Sequence, residues 1–213
     1  MGQSTDLKFM PLAGKTRKDV VTEFREAEIL QAARQVFARE GFADASMEEI
    51  AHAAGLAKGT LYLYYDSKRE LYRAALRAGL VELCEALERA IGKAGTLAAQ
   101  IEAYVTTKVA YFDENRDFFR IYLAEFGNAA CGAMDPYFRD LSLRQSGLLE
   151  KAIREGLKGA GGKPAAAQEA AHAVSDLTRG VILRRLMGWS AEPKPEKEVA
   201  FVVEFAKKAL GLK

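Results

Sequence analysis

Ile29, Ala33, Val36 and Phe37 fall at the i, i+4, i+7, i+8 spacing of a helix with one buried stripe, while Arg25, Glu26, Arg34 and Arg39 point elsewhere. Gly41 predicts the end of that helix. A second helix is expected to open near Met47, because Ser46 with Glu49 spells a capping box, each side chain satisfying a backbone N–H of the first turn. Another such pair, Ser67 with Glu70, opens a helix at Lys68 and so confines the one between them to about Lys58–Tyr65. Two short helices crossing steeply need apolar residues facing a common core, and Ile50, Ala54, Leu56 and Leu61 supply them. They also need a small residue under the crossing, met by Ala51, and a turn position that tolerates positive φ, met by Gly55. Phe37, Phe42 and Tyr65 are expected to form a small aromatic core for this unit.

Helical patterning continues from Leu71 to about Ala90, where Gly92, Gly95 and Thr96 interrupt it. Further helices are expected at about Thr96–Asp113, Arg116–Gly127, Pro136–Gly156, Pro164–Met187 and Glu196–Leu210, with a glycine-rich surface loop over Gly156–Pro164. Nine of the chain's aromatic residues crowd between Tyr104 and Phe138: Tyr104, Tyr111, Phe112, Phe118, Phe119, Tyr122, Phe126, Tyr137 and Phe138. They are the candidate wall of an apolar ligand pocket, with core filling as the plainer use of the same rings. On the last helix, Val199, Val202, Val203, Ala206 and Leu210 make one stripe, and Phe201 and Phe205 widen it beyond what a single core face needs. With Val174, Leu177 and Val181 on the helix before, this extra face predicts a partner helix pair.

A length of 213 residues with 49% apolar content is ample for a sizeable core and permits one small domain plus one of about 130 residues. The expected fold class is all-α: a flexible arm over 1–21, a three-helix helix-turn-helix domain over 22–82, and a larger helical domain for ligand binding and dimerisation over 83–213. A short helix held between two caps is what enters a DNA major groove.

The segments I-L-Q-A-A-R-Q-V-F-A-R-E-G-F and S-M-E-E-I-A-H-A-A-G-L-A-K-G-T-L-Y-L-Y-Y-D-S-K-R-E-L resemble the tetracycline-repressor (TetR) family of transcriptional regulators over about Thr22–Leu80. The resemblance implies that the third helix lies in the major groove, that the fourth links it to the body, and that the larger domain binds a small molecule and dimerises. It places Lys58, Gly59, Thr60, Tyr62, Leu63 and Tyr64 at groove and phosphate contacts and Lys68 at a phosphate. Ser46 and Met47, where the first helix of the pair begins, complete the expected DNA-binding set. One departure stands out: Ala57 occupies a position where the family often has serine or threonine, so the reading helix lacks a side-chain cap and a DNA phosphate is expected to stand in.

Charge alone would not have suggested DNA. The net charge is +2, so attraction must be local, from Lys58, in a stretch with no carboxylate between Glu49 and Asp66, and from Lys68 and Arg69 just after it. The Lys15, Arg17, Lys18 cluster reads either as an arm that touches DNA or as a solvated tail. Cys84 and Cys131 are far apart, and His52 and His172 are isolated, so neither a metal site nor a cofactor is expected. No Ser-His-Asp order, H-E-x-x-H or phosphate-binding glycine loop appears, which argues against an enzyme. No run of ~18 apolar residues and no signal-peptide pattern is present, so a cytoplasmic protein without a membrane partner is expected. The expected function is a repressor that binds a palindromic double-stranded operator as a homodimer, paired through its two C-terminal helices, and is released by a small apolar or aromatic effector. The alternatives are an activator or a ligand-independent architectural DNA binder.

Overall fold

A computed structural model describes residues 16–130, 136–159, 166–189 and 195–212, and over those residues the chain forms nine helices and no strand. They are α1 (Arg17–Asp44), α2 (Met47–Ala53), α3 (Lys58–Tyr62), α4 (Lys68–Lys93), α5 (Leu97–Glu114), α6 (Arg116–Ala130), α7 (Pro136–Gly159), α8 (Ala167–Leu186) and α9 (Pro195–Ala209). The fold is all-α, as the periodicity predicted.

The first helix begins earlier than its buried stripe suggested. Thr16 and Asp19 form a capping box: the Asp19 N–H donates to Thr16 Oγ1 at 3.2 Å and the Thr16 N–H donates to the Asp19 carboxylate at 2.8 Å. The arm expected over 1–21 is therefore helical over its last residues, Arg17 to Val21, while 1–15, with Lys15, lie outside the described residues. Val20, Val21 and Phe24 on this first stretch are exposed, so it packs no stripe that a periodicity reading would detect. Gly41 breaks the regular helix where expected, at φ 78° and ψ 172°. The glycine-rich loop is shorter than its composition suggested, since α7 continues through Gly156 to Gly159; 160–165 lie outside the described residues.

Helix α4 has neighbours in both halves of the molecule. It packs on α1 and α6 toward the N-terminal unit and on α5 and α7 within the body, burying Leu71, Ala75, Leu80, Leu83 and Leu87. The boundary expected at 82/83 thus falls inside one unbroken helix that belongs to both halves. Arg34 of α1 fixes their relation: its Nε donates to the Ala75 carbonyl at 3.2 Å, and its two terminal nitrogens donate to the Glu82 carboxylate at 3.2 and 2.8 Å. Tyr111 of α5 reaches the same place, its hydroxyl lying 2.8 Å from the Gly79 carbonyl and 3.0 Å from Glu82. Burial, with the Glu82 charge beside it, pushes the Tyr111 phenol up, so it stays a donor.

Below this junction the aromatic rings of α5 and α6 pack on one another. Phe112 and Phe118 stack at 5.8 Å, and Phe112 also meets Phe119 at 5.5 Å and Tyr122 at 5.1 Å. Phe118 lies directly against α4 at Gly79, where an added Cβ would come within 2.4 Å of the ring.

Gly79→Ala is therefore expected to force Phe118 off its seat. Overpacking of this kind costs about 1–3 kcal/mol, offset in part by the ~1 kcal/mol better helix propensity of alanine. A thermal melt should show a lower midpoint; an unchanged or higher one would contradict this packing.

Candidate nucleic-acid interface

The turn between α2 and α3 is built by backbone bonding around one glycine. Gly55 takes φ 65°, its N–H donates to the His52 carbonyl at 3.1 Å, and the Leu56 N–H donates to the Ala51 carbonyl at 2.8 Å. This paired closure satisfies two carbonyls at the end of α2 and reverses the chain in a few residues. Ala51 is 1% exposed and Leu61 fully buried, so the crossing is as tight as a small residue under the second helix requires. At the start of α2, Ser46 and Glu49 make the expected reciprocal cap. Hydrogen bonds from the Ser46 hydroxyl and backbone N–H hold the Glu49 carboxyl below the usual carboxylate range. At the start of α4, Ser67 caps Glu70, but the Glu70 carboxylate accepts from the Asp66 N–H at 2.9 Å, one residue earlier than a reciprocal box would have it.

Helix α3 is shorter than the Lys58–Tyr65 expected. Its regular part ends at Tyr62, after which Leu63, Tyr64 and Tyr65 continue in a looser turn whose N–H groups bond Thr60 and Leu61 carbonyls. Ala57 is its N-cap and supplies no side-chain bond. Tyr65 is half-buried and packs against the core as expected; burial, with Glu26 and Glu70 nearby, pushes its phenol up to about 12. Phe42 sits at the edge of the aromatic core, and Tyr72, which patterning did not single out, completes it, 5.1 Å from Phe37 and 5.2 Å from Phe42.

The outer face of α3 carries most of the expected contact residues. Lys58, Gly59, Tyr62 and Leu63 are exposed, Leu63 by 84%, and Thr60 and Tyr64 are half-buried beside them. A Cβ at Gly59 would meet nothing within 4 Å, so the absence of a side chain there serves no internal packing and leaves clearance on the outside. Lys58 is not alone in its field: its Nζ lies 3.3 Å from Glu48 of α2, an exposed pair that sequence spacing gave no sign of.

Three members of the expected set are placed otherwise. The Met47 side chain is buried beneath α2, one turn from Ile50, leaving only its backbone to face outward. The Ser46 hydroxyl is committed to its cap. Lys68 lies across the end of α1, donating to the carbonyls of Ala43 and Ala45 at 2.8 and 2.7 Å with its charge 4.9 Å from the Phe42 ring. A cation on orphan carbonyls beyond a helix end is a clamp; its remaining N–H is what it has for a phosphate.

The expected aromatic pocket wall is mostly interior. Phe112, Phe118 and Phe119 are buried with Phe112 against the other two, and Tyr104 is fully buried with its hydroxyl on Ser175 Oγ, because closely packed helices need rings as filling. Tyr111 is occupied at the Arg34 junction, and exposed Tyr137 faces Arg77 at 4.5 Å. Tyr122 and Phe138 do border a hollow, whose other walls are largely polar. The Phe126 side chain and Cys131 lie outside the description; Cys84 is buried, and burial pushes its thiol up. Among the described residues no cluster of metal-ligating side chains gathers, and no helix is long and apolar enough to cross a membrane.

Residues 29–75, from the buried part of α1 into α4, match the sequence profile of bacterial regulatory proteins of the tetR family. The chain is 37% identical over 79 residues to the HTH-type transcriptional regulator YfiR of Bacillus subtilis, covering 37% of each. It is 28% identical over 136 residues to the HTH-type transcriptional repressor KstR2 of Rhodococcus jostii, covering 62% of this chain and 67% of that one. The matched segment thus spans little more than a third of the first relative and two thirds of the second. The fold matches that of the transcriptional regulator FadR from Bacillus subtilis, solved in complex with stearoyl-CoA, with a TM-score of 0.68 over 86% of this chain and 97% of that one at 16% identity.

Two substitutions test the outer face. Gly59→Ala should leave the melting point unchanged or raise it, since alanine is favoured in helices by about 0.5–1 kcal/mol, while weakening duplex binding about tenfold or more, ~1.4 kcal/mol. Glu48→Gln frees Lys58 and removes a carboxylate beside the α3 face, so duplex binding at low salt should tighten a few-fold, with the gain fading as salt screens it. Titrations of labelled duplex at two ionic strengths measure both.

Proposed function

We propose that this chain, a member of the TetR family of bacterial regulatory proteins, is a transcriptional repressor that binds a palindromic operator as a homodimer and is released by a small effector. The observation that carries the reading is the outer face of α3: Tyr62 at the end of this five-residue helix and Leu63 just beyond it stand exposed, with open space at Gly59. Large side chains left in water at a helix-turn-helix suit a partner surface, and tyrosine and threonine hydroxyls suit phosphate oxygens. The repressor sign follows KstR2, which is named a repressor.

The C-terminal helices support the same reading. Phe201 is 66% and Phe205 50% exposed on α9, their rings 6.4 Å apart, beside an apolar groove shared with Leu177 and Val181 of α8. A twofold packing of these helices would bury both rings and hold two α3 helices for half-sites about 34–36 Å apart. Release then needs only a tilt of α4, since each reading head rides on it, and an effector supplies typically about 1–3 kcal/mol of such coupling.

Selection from random duplex DNA should return a palindrome preferred about 10³-fold or more over random sequence. Uniform binding would favour an architectural protein instead. Phe201→Glu should sediment as a folded monomer with helical content intact and lose the palindrome; a dimer that persists would move the interface elsewhere.

A further inference from the structure

A hollow of about 290 Å³ opens among α5, α6, α7 and α8, and its chemistry differs from that of the aromatic core beside it. We propose that it is a binding site for a small organic carboxylate, held at its inner end by Lys108; this rests on the reading of the chain as an effector-released regulator and names the effector's chemical class.

The carrying observation is a buried cation without an anion. Lys108 is 4% exposed, and its Nζ donates to the Tyr104 hydroxyl at 3.2 Å, with no carboxylate in ion-pair distance among the described residues. The Tyr104 hydroxyl is itself shared with Ser175 Oγ at 2.8 Å. An ammonium has three N–H donors, so the bond to Tyr104 leaves most of its capacity for a ligand in the hollow. Buried charges are ordinarily paired, because a lone one forfeits its hydration.

Two further groups point the same way. Gln145 is 1% exposed and its Nε2 has no acceptor, and Ser142 Oγ is buried with no partner; both border the hollow. Donors left open around a cation match the oxygens of a carboxylate. The mouth carries Arg139, Arg179 and His172; Arg179 donates to Asp176 at 2.9 Å and Arg139 lies 3.8 Å from Asp140, so both guanidinium groups are paired at the rim and the cation without a carboxylate is Lys108 at the floor. The rings of Tyr122 and Phe138 and the Leu143 side chain supply apolar wall for the ligand's body. The volume lies at the small end of ligand pockets, which favours a compact acid over a nucleotide conjugate.

The test uses the full chain, with phenylacetate and hexanoate as probes, each beside its neutral amide, and stearoyl-CoA as the bulky comparison. Calorimetry and melting curves should show the acids binding and raising the midpoint while the amides do neither. Lys108→Met should weaken acid binding about tenfold to hundredfold, yet melt no lower than the unsubstituted protein when ligand-free, because a lone buried charge has been removed. Gln145→Leu, which leaves the charge in place, should weaken it less. Acids and amides binding alike, neither acid binding at millimolar concentration, or Lys108→Met binding as well as the unsubstituted protein would each overturn the proposal. So would stearoyl-CoA binding unaffected by Lys108→Met where the acids fail. If the acids bind through Lys108 but leave operator binding unchanged, the carboxylate site stands and the effector-release reading falls.

Discussion

The guanidinium of Arg34 is where the two halves of the molecule are joined. One side chain from α1 reaches the backbone of α4 at Ala75 and the carboxylate of Glu82, lies 5.8 Å from the Phe118 ring of α6, and shares Glu82 with Tyr111 of α5. A planar fork loses less freedom per bond than a flexible ammonium would, so four helices are fixed at one point by a group whose geometry is already set. The Arg34 side chain is only 13% exposed, against 64% for Arg89 in its surface pair with Glu85, although the partner Glu82 stays half in water. The orientation of the helix-turn-helix relative to the body is thereby a property of a few bonds along one helix.

That explains why local features were legible in the sequence and the joint was not. Ser46 with Glu49, Gly55, Ala51 and Leu61 act within a short stretch of chain, and their spacing states their geometry. Helices from α4 onward begin and end close to where periodicity put them, because Ser67 and Thr96 are caps and each helix buries a stripe. The start of α1 escaped notice for the opposite reason: its first turns bury nothing, and its cap pairs threonine with aspartate instead of glutamate.

The candidate sites divide along the same line. Exposure of Lys58, Gly59, Tyr62 and Leu63 follows from a short helix buried only through Leu61, so residue order sufficed. Lys68 bonds carbonyls more than twenty residues away, and Lys58 meets Glu48 across a turn; neither partner can be read from a one-dimensional pattern. In the body, aromatic density was a poor guide because rings fill cores as readily as they line pockets. What marks the hollow is a lysine on the buried stripe of α5, Lys108 among Ile101, Tyr104, Val105, Val109 and Phe112, a polar residue that periodicity reading passes over.

The seat of Phe118 on Gly79 also bears on how motion would pass through the protein. Most helix contacts are cushioned by side chains that can change rotamer and absorb a displacement. Here an aromatic face lies on bare backbone, and an incompressible ring offers no such slack. A shift of α6 at that point meets no side chain of α4 that could absorb it, which makes the missing methyl group a direct bearing between the body and the helix that leads to the helix-turn-helix.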